Sequence, residues 1–173
     1  MEYHDVNISF QGRLSIRRFY NHRVNYWLMK SEPDVFSLDD LRRRGTAPWD
    51  GVRNYQARNM LRDDVKLDDQ VFIYHSSCKL IGIAGIARVI KTAYPDPSQF
   101  DKNNIYFDAA STREKPRWIA VDVVHEQTFK RVIPLAELRE NPALSELSLV
   151  QRGSRLSVMP VATAQWKAIL KMI

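Results

Sequence analysis

The chain alternates short apolar segments with irregular polar stretches, and this alternation most constrains how it can fold. Six segments have the apolar and aromatic density of buried strands: 26–30, 70–75, 81–91, 118–126, 129–133 and 155–161. Irregular loops separate them, rather than the regular helical crossovers of a doubly wound parallel sheet. We therefore predict an α+β fold, a mixed-sheet β-barrel with peripheral helices.

Four helices are predicted around this sheet. The first has the clearest signals, because Ser37 and Asp40 have the spacing of a capping box and Gly45 follows three arginines as a stop. Segment 46–51, which follows it, is predicted to be a loop. The other helices are expected at 54–63 with Asn54 as the cap, at 135–140, and from a capping Thr163 onward.

Two glycines, Gly82 and Gly85, interrupt the third strand segment. Glycine inside a strand weakens it and often marks a bulge or the close approach of another backbone. We expect one of these two features at this strand.

The length of 173 residues fits a single domain. Residues 1–25 show no sustained period of 2 or 3.6, so we treat them as an N-terminal extension and residues 26–173 as the domain. No apolar run approaches the roughly 18 residues that a membrane span needs, so we expect no membrane partner. Cys78 is the single cysteine, which excludes an internal disulfide and favours the reducing cytoplasm.

Polar residues collect where two of the predicted strands end. Segment 30–33 ends the first strand with Lys-Ser-Glu-Pro, and segment 74–79 ends the second in a similar way. Trp49 stands on a loop before a helix start, where an apolar ring is costly unless it packs or stacks. A net charge of +6 permits a polyanionic partner. The alternative is that Trp49 plugs the end of the barrel and the nearby arginines are solvated.

The sequence offers little support for catalysis. Cys78 and His75 lie three residues apart, and this spacing does not establish the hydrogen bond that a nucleophilic dyad needs. The four histidines are scattered without metal-ligand spacing, and the chain lacks phosphate-binding glycine loops and the nucleophile elbow. We therefore expect no catalytic residue, no metal and no cofactor.

Five ordered motifs are similar to those of the EVE-domain family. They occupy residues 26–33, 49–59, 74–79, 82–85 and 93–96. This resemblance runs from about residue 26 to the C-terminus and implies a fold related to the PUA superfamily. It further implies a non-catalytic module that reads a modified base, notably a C5-modified cytosine, with DNA favoured over RNA as the partner.

A reader of this kind takes the base out of the stack and holds it between apolar faces. The predicted faces are Trp49 and Trp118, with Tyr55 or Tyr74 closing the side. The carboxylate of Glu32 or of Asp50 is expected to accept from the N4 amino group of cytosine. The remaining polar groups expected around the base belong to Ser31, Asn54, His75 and Ser76. The cations expected at the backbone phosphates are Lys30, Arg53, Arg58, Lys79 and Arg152.

Two other functions stay open at this point. An enzyme acting on a modified nucleotide or base would use His75 and a carboxylate as its acid and base. A protein-interaction module would receive a peptide or another protein in the same cleft.

Overall fold

A computed structural model of the protein describes residues 24–173. The predicted extension, residues 1–25, lies outside the described residues except for its last two positions. Six strands and four helices follow in the order β1 (Tyr26–Ser31), α1 (Leu38–Arg44), β2 (Thr46–Trp49), α2 (Tyr55–Asn59), β3 (Gln70–His75), β4 (Gly82–Pro95), β5 (Ile119–Pro134), α3 (Leu135–Glu140), β6 (Val158–Val161) and α4 (Thr163–Leu170).

The strands form one mixed sheet in the order β2-β5-β4-β3-β1-β6. Neighbouring strands are antiparallel except for β3 and β1, the fourth and fifth strands in this order, which run parallel. The mixed sheet and the α+β class are confirmed. Within residues 24–173 no ladder joins the two edge strands β2 and β6, so closure into a barrel is not confirmed.

The first helix begins and ends where its capping residues predict. The Ser37 hydroxyl accepts from the N–H of Asp40, and the Asp40 carboxylate accepts from the N–H of Ser37, which completes the capping box. Gly45 ends the helix with φ of 77°, in the left-handed region that favours glycine. Asn54 likewise caps α2, which continues into one turn of π-helix at Met60–Asp64.

The structure differs from the predicted elements in three places. Segment 46–51 was expected as a loop, but Thr46–Trp49 pairs with β5 as an edge strand, a place where proline is tolerated. The segments expected as two strands at 118–126 and 129–133 form the single strand β5, because pairing with β4 continues through a bulge. The last strand spans Val158–Val161 rather than 155–161.

Bulges accompany the glycines of β4, as expected. The register between β4 and β5 shifts between Ile83 and Gly85. A Cβ on Gly85 would lie 2.1 Å from the Gln127 carbonyl oxygen, so only glycine allows this approach of the two strands.

Each face of the sheet buries its own hydrophobic cluster, as the alternation of side chains along a strand requires. Trp27 and Met29 of β1 pack on one face with α1 and Trp49. Leu28 packs on the other face with Phe72 and with Trp166 of α4.

None of the helices in residues 24–173 has the length and the apolar character that crossing a bilayer requires.

Candidate functional site

A cleft of about 610 Å³ opens at the carboxyl ends of β1 and β3. Because these strands are parallel, Ser31 and His75 are register partners and both strand ends reach the same edge. The Ser76 N–H donates to the Ser31 carbonyl at 2.8 Å, and the Lys30 N–H donates to the Ser157 carbonyl at 2.8 Å. Six of the predicted site residues line the cleft: Lys30, Ser31, Glu32, Trp49, Asp50 and Ser76.

The floor of the cleft carries an unpaired polar atom. The Ser31 hydroxyl oxygen is buried and has no hydrogen-bond partner among residues 24–173. A buried polar group without a partner costs roughly 1–3 kcal/mol, which a hydrogen bond to a ligand would recover. Lys30 lines the cleft next to Ser31, but its ammonium group lies 5.8 Å from the centroid of the Tyr74 ring, which packs on the other face of the sheet. Partial burial lowers the pKa of Lys30. The floor therefore offers a free hydroxyl, and the charge of Lys30 lies away from it.

One wall is formed by Trp49 at the end of β2. Its side chain is only 5% exposed and packs edge-on against Phe36, with the ring centroids 6.2 Å apart. The indole is thus fixed by the core and shows the cleft only part of its surface.

Asp50 follows Trp49 and faces the cleft from the same wall. Its side chain is open to the cleft, yet protein packed behind the carboxyl raises the pKa of Asp50, and the neighbouring Asp96 carboxylate raises it further. Arg53 and Arg44 oppose this rise. Asp50 therefore takes up a proton more readily than an ordinary aspartate.

A second wall is formed by Tyr106, from the long segment between β4 and β5. Its ring lies directly on Gly51, where an added Cβ would come within 2.6 Å of the ring, and Gly51 has φ of 70°. The Arg53 guanidinium lies 5.3 Å from the centroid of the same ring and donates from Nε to the Tyr106 carbonyl at 3.0 Å. Tyr106 is therefore held in place from the β2–α2 loop.

Arg53 anchors this wall through the buried Asp96. Its guanidinium donates to the Asp96 carboxylate at 2.7 Å and to the Ser98 hydroxyl at 2.9 Å. The Gly51 N–H donates to the same carboxylate at 3.0 Å. Burial raises the pKa of Asp96, but the hydrogen bonds from Arg53, Ser98 and Gly51 outweigh it and hold that pKa below its usual value. The guanidinium predicted for a phosphate is thus directed at protein acceptors.

The second predicted stacking face lies outside the cleft. Trp118 is 6% exposed and stacks on Tyr55, with ring centroids 5.0 Å apart. Its indole N–H donates to the Asp108 carboxylate at 2.6 Å. The structure therefore brings Trp118 and Tyr55 together with each other and not with Trp49, and the Arg53 guanidinium lies 5.3 Å from the centroid of the Trp118 ring.

Three more predicted residues are engaged within the fold and do not line the cleft. Tyr74 packs in the cluster on the other face of the sheet at 3% exposure, and burial raises its pKa. The Nε2 atom of His75 accepts from the Leu38 N–H at 3.1 Å, and burial lowers the pKa of His75 against the influence of Asp39. Asn54 accepts from the Ala57 N–H as a helix cap.

The predicted cations are dispersed. Arg58 donates to the Arg117 carbonyl at 2.6 Å, and its guanidinium lies 5.0 Å from the centroid of the Tyr55 ring. Lys79 lies on the β3–β4 loop outside the cleft, and Arg152 lines a neighbouring groove. Only Lys30 of the predicted cations lines the cleft itself.

The sequence reasoning missed several residues that line the cleft. The missed residues with aromatic or charged side chains are Phe36, Arg44, Tyr106 and Arg155. Arg44 was interpreted only as one of the cations at the end of a helix, and its sequence context gives no sign that it also lines the cleft. Tyr106 lies in a segment without periodicity, and its contacts with Gly51 and Arg53 span more than fifty residues of sequence.

Within the part of the chain that the structure describes, no three His, Cys, Asp or Glu side chains are grouped as metal ligands.

Comparisons with known proteins point to one family. The family model described as EVE domain matches residues 25–172. Thymocyte nuclear protein 1 of Mus musculus is 44% identical over 96% of this chain and 81% of its own. A solved protein from Pseudomonas syringae is 56% identical, with a TM-score of 0.83 over 85% of this chain and 98% of its own. The human THYN1 protein, solved in complex with DNA containing 5-methylcytosine, is 42% identical, with a TM-score of 0.81 over 86% of this chain and 96% of its own.

Proposed function

The chain belongs to the EVE-domain family, and from that premise we propose that it binds DNA and holds a C5-modified cytosine in the cleft without altering it. The observation that carries this proposal is the complex of human THYN1 with DNA that contains 5-methylcytosine. The cleft supports it, because about 610 Å³ lies within the range of roughly 300–1,000 Å³ that small-molecule sites occupy.

The base would enter the cleft edge-on between Trp49 and Tyr106. Extracting a base from a duplex costs a few kcal/mol, and stacking on aromatic rings returns about 1–3 kcal/mol per base. Both rings are pre-positioned, Trp49 by the core and Tyr106 by Arg53, so little side-chain ordering accompanies binding.

Polar groups at the floor and wall would read the edge of the base. Asp50 is the carboxylate proposed for the N4 amino group, because Glu32 already accepts from the Ser77 hydroxyl at 3.0 Å. The unpaired Ser31 hydroxyl is proposed to donate to a ring acceptor. Ser76 and Lys30 complete the polar lining.

Arg44 and Arg155 line the same cleft and are proposed to attract the phosphates on either side of the base. They take the role that the sequence suggested for Arg53 and Arg58, whose guanidinium groups already have protein acceptors. Lys79 keeps its proposed part as an exposed cation near the site.

Binding without chemistry is the proposed activity. The acid–base alternative required His75 beside the bound base, whereas its Nε2 accepts from the Leu38 N–H and its side chain does not line the cleft. Incubation with 5-methylcytosine oligonucleotides should therefore leave their mass unchanged, and any altered product would favour an enzyme.

Two further predictions stay proposals. The bulged, 14- and 16-residue strands β4 and β5 support a barrel-like coiling of PUA type. The cytoplasm stays the proposed compartment, although relatives carry the name thymocyte nuclear protein.

The test is a titration of matched oligonucleotides that carry either 5-methylcytosine or cytosine. Wild type should prefer the methylated strand, and Ser31→Ala should weaken both strands by about tenfold, the worth of one buried hydrogen bond. Ser145→Ala, an exposed serine outside the cleft, is the control. Trp49→Phe is preferred to alanine, because a buried tryptophan cut to alanine costs about 3–5 kcal/mol of stability. Equal affinity for both strands at every salt concentration would rule out base reading.

A further inference from the structure

A second groove of about 420 Å³ adjoins the cleft. It runs between the start of α2 and the segment that leads into β6. Its polar lining comes mainly from Asn54, Gln56, Gln151, Arg152, Ser154 and Arg155. Arg155 lines both the groove and the cleft, so its side chain lies between the two.

The groove has the chemistry of a site for an anionic, hydrogen-bonding chain. No carboxylate is among its lining residues, which offer amides, hydroxyls and two guanidinium groups. Neither Arg152 nor Arg155 has an ion pair or a side-chain hydrogen bond with another residue of the described range 24–173. They differ in this from Arg53, Arg58 and Arg117, whose guanidinium groups are held by protein acceptors.

A base held in the cleft remains attached to its strand, and that strand must leave along the surface. Resting on the proposed function, we propose that this groove holds the sugar-phosphate backbone on one side of the bound nucleotide, with Arg152 and Arg155 at its phosphates. The amide and hydroxyl groups bind sugar and phosphate oxygens. Contacts of this kind fix the position of the strand and carry no sequence information.

The two sites have separable signatures. The ratio of affinities for methylated and plain oligonucleotides reports on the cleft, whereas the slope of log affinity against log salt reports on phosphate contacts. For single strands this slope falls by about 0.7 for each phosphate contact that is lost.

The experiment measures both quantities with a single-stranded heptanucleotide that carries a central 5-methylcytosine or cytosine. Arg152→Ala is the informative variant, because Arg152 lines the groove and not the cleft. Lys167→Ala removes the same charge from α4, which packs through Trp166 against Tyr26 at the opposite end of β1. Free 5-methyl-2′-deoxycytidine, which has no phosphate, serves as a ligand for the cleft alone.

We expect Arg152→Ala to lower the salt slope by about 0.7, so that between 50 and 200 mM salt it loses about 2.5-fold less affinity than wild type. Its preference for the methylated strand and its affinity for the free nucleoside should stay at the wild-type values. Lys167→Ala should match wild type in all measurements. Equal salt slopes for Arg152→Ala and wild type would overturn the groove while leaving the cleft intact. If wild type binds the methylated and the plain heptanucleotide equally well, the proposed function is overturned instead.

Discussion

Replacing Arg53 with methionine tests whether the Tyr106 wall is anchored through a buried ion pair. Asp96 has a fully buried side chain, and the Arg53 side chain is 22% exposed. Removing one partner of a buried pair costs about 3–5 kcal/mol, because the other charge stays buried without compensation. Asp96 keeps hydrogen bonds from Gly51 and Ser98, so the lower part of this range applies and we expect about 3 kcal/mol. For a domain of this size that corresponds to a fall in Tm of about 6–12 °C.

The pH dependence identifies the cause. In wild type the pKa of Asp96 is held below its ordinary value, so its stabilising effect is present above that value and is lost as the pH falls below it. Without Arg53, burial dominates and Asp96 takes up a proton at a higher pH, which relieves the uncompensated charge. The difference in free energy of unfolding between variant and wild type should therefore shrink as the pH falls from 7 to 4.

Urea unfolding followed by circular dichroism measures this difference at both pH values. Arg62 and Asp63 form an exposed pair with the same 2.7 Å separation, so Arg62→Met is the matched control and should leave the unfolding midpoint close to wild type. Adding Asp96→Asn to Arg53→Met should restore part of the loss. If Arg53→Met costs less than about 1 kcal/mol at pH 7, or the same amount at pH 4, the anchoring argument fails.

Two further substitutions test local features of the fold. Because burial lowers the pKa of His75, the unfolded chain binds a proton more readily, and stability should fall as the pH drops through about 6.5. His75→Gln, whose amide oxygen can take the place of Nε2 as the acceptor for the Leu38 N–H, should show a weaker decline in urea midpoint between pH 7.5 and 5.5, and equal declines would refute the assignment. Gly85→Ala should cost about 3 kcal/mol, since its Cβ would meet the Gln127 carbonyl oxygen at 2.1 Å, whereas Gly153→Ala, with open space and φ of 80°, should cost only about 1 kcal/mol. If both glycine variants lose the same stability in thermal unfolding, the close approach of β4 and β5 at Gly85 is not what makes this glycine necessary.

Features set by interactions within a few residues were predictable from the sequence. The capping box of α1, its glycine stop and the Asn54 cap depend on neighbours three or four positions away, and all are present. The assignment of Thr46–Trp49 failed because this short segment becomes a strand only through pairing with β5, more than seventy residues later.

In the candidate site, too, the residues with a local sequence signal were predictable and those placed by long-range contacts were not. Ser31 and Asp50 were identifiable as polar residues at the ends of apolar segments, and both line the cleft. Trp118 was not separable from Trp49 by composition, because both are tryptophans beside polar residues. The sheet decides which of them lies at the cleft, and Trp118 stacks on Tyr55 instead. Tyr106 depended wholly on long-range contact with Gly51 and Arg53.

The position of the cleft at the ends of β1 and β3 couples ligand binding to the stability of the whole domain. Its walls come from chain segments near residues 31, 50, 76, 106 and 155, and no partly folded fragment brings all five together. A ligand that contacts all five segments therefore binds only when the whole domain is folded. A bound ligand would add its binding free energy to the stability of the whole domain. Amide hydrogen exchange should then slow in the strands buried farthest from the ligand, as well as at the rim.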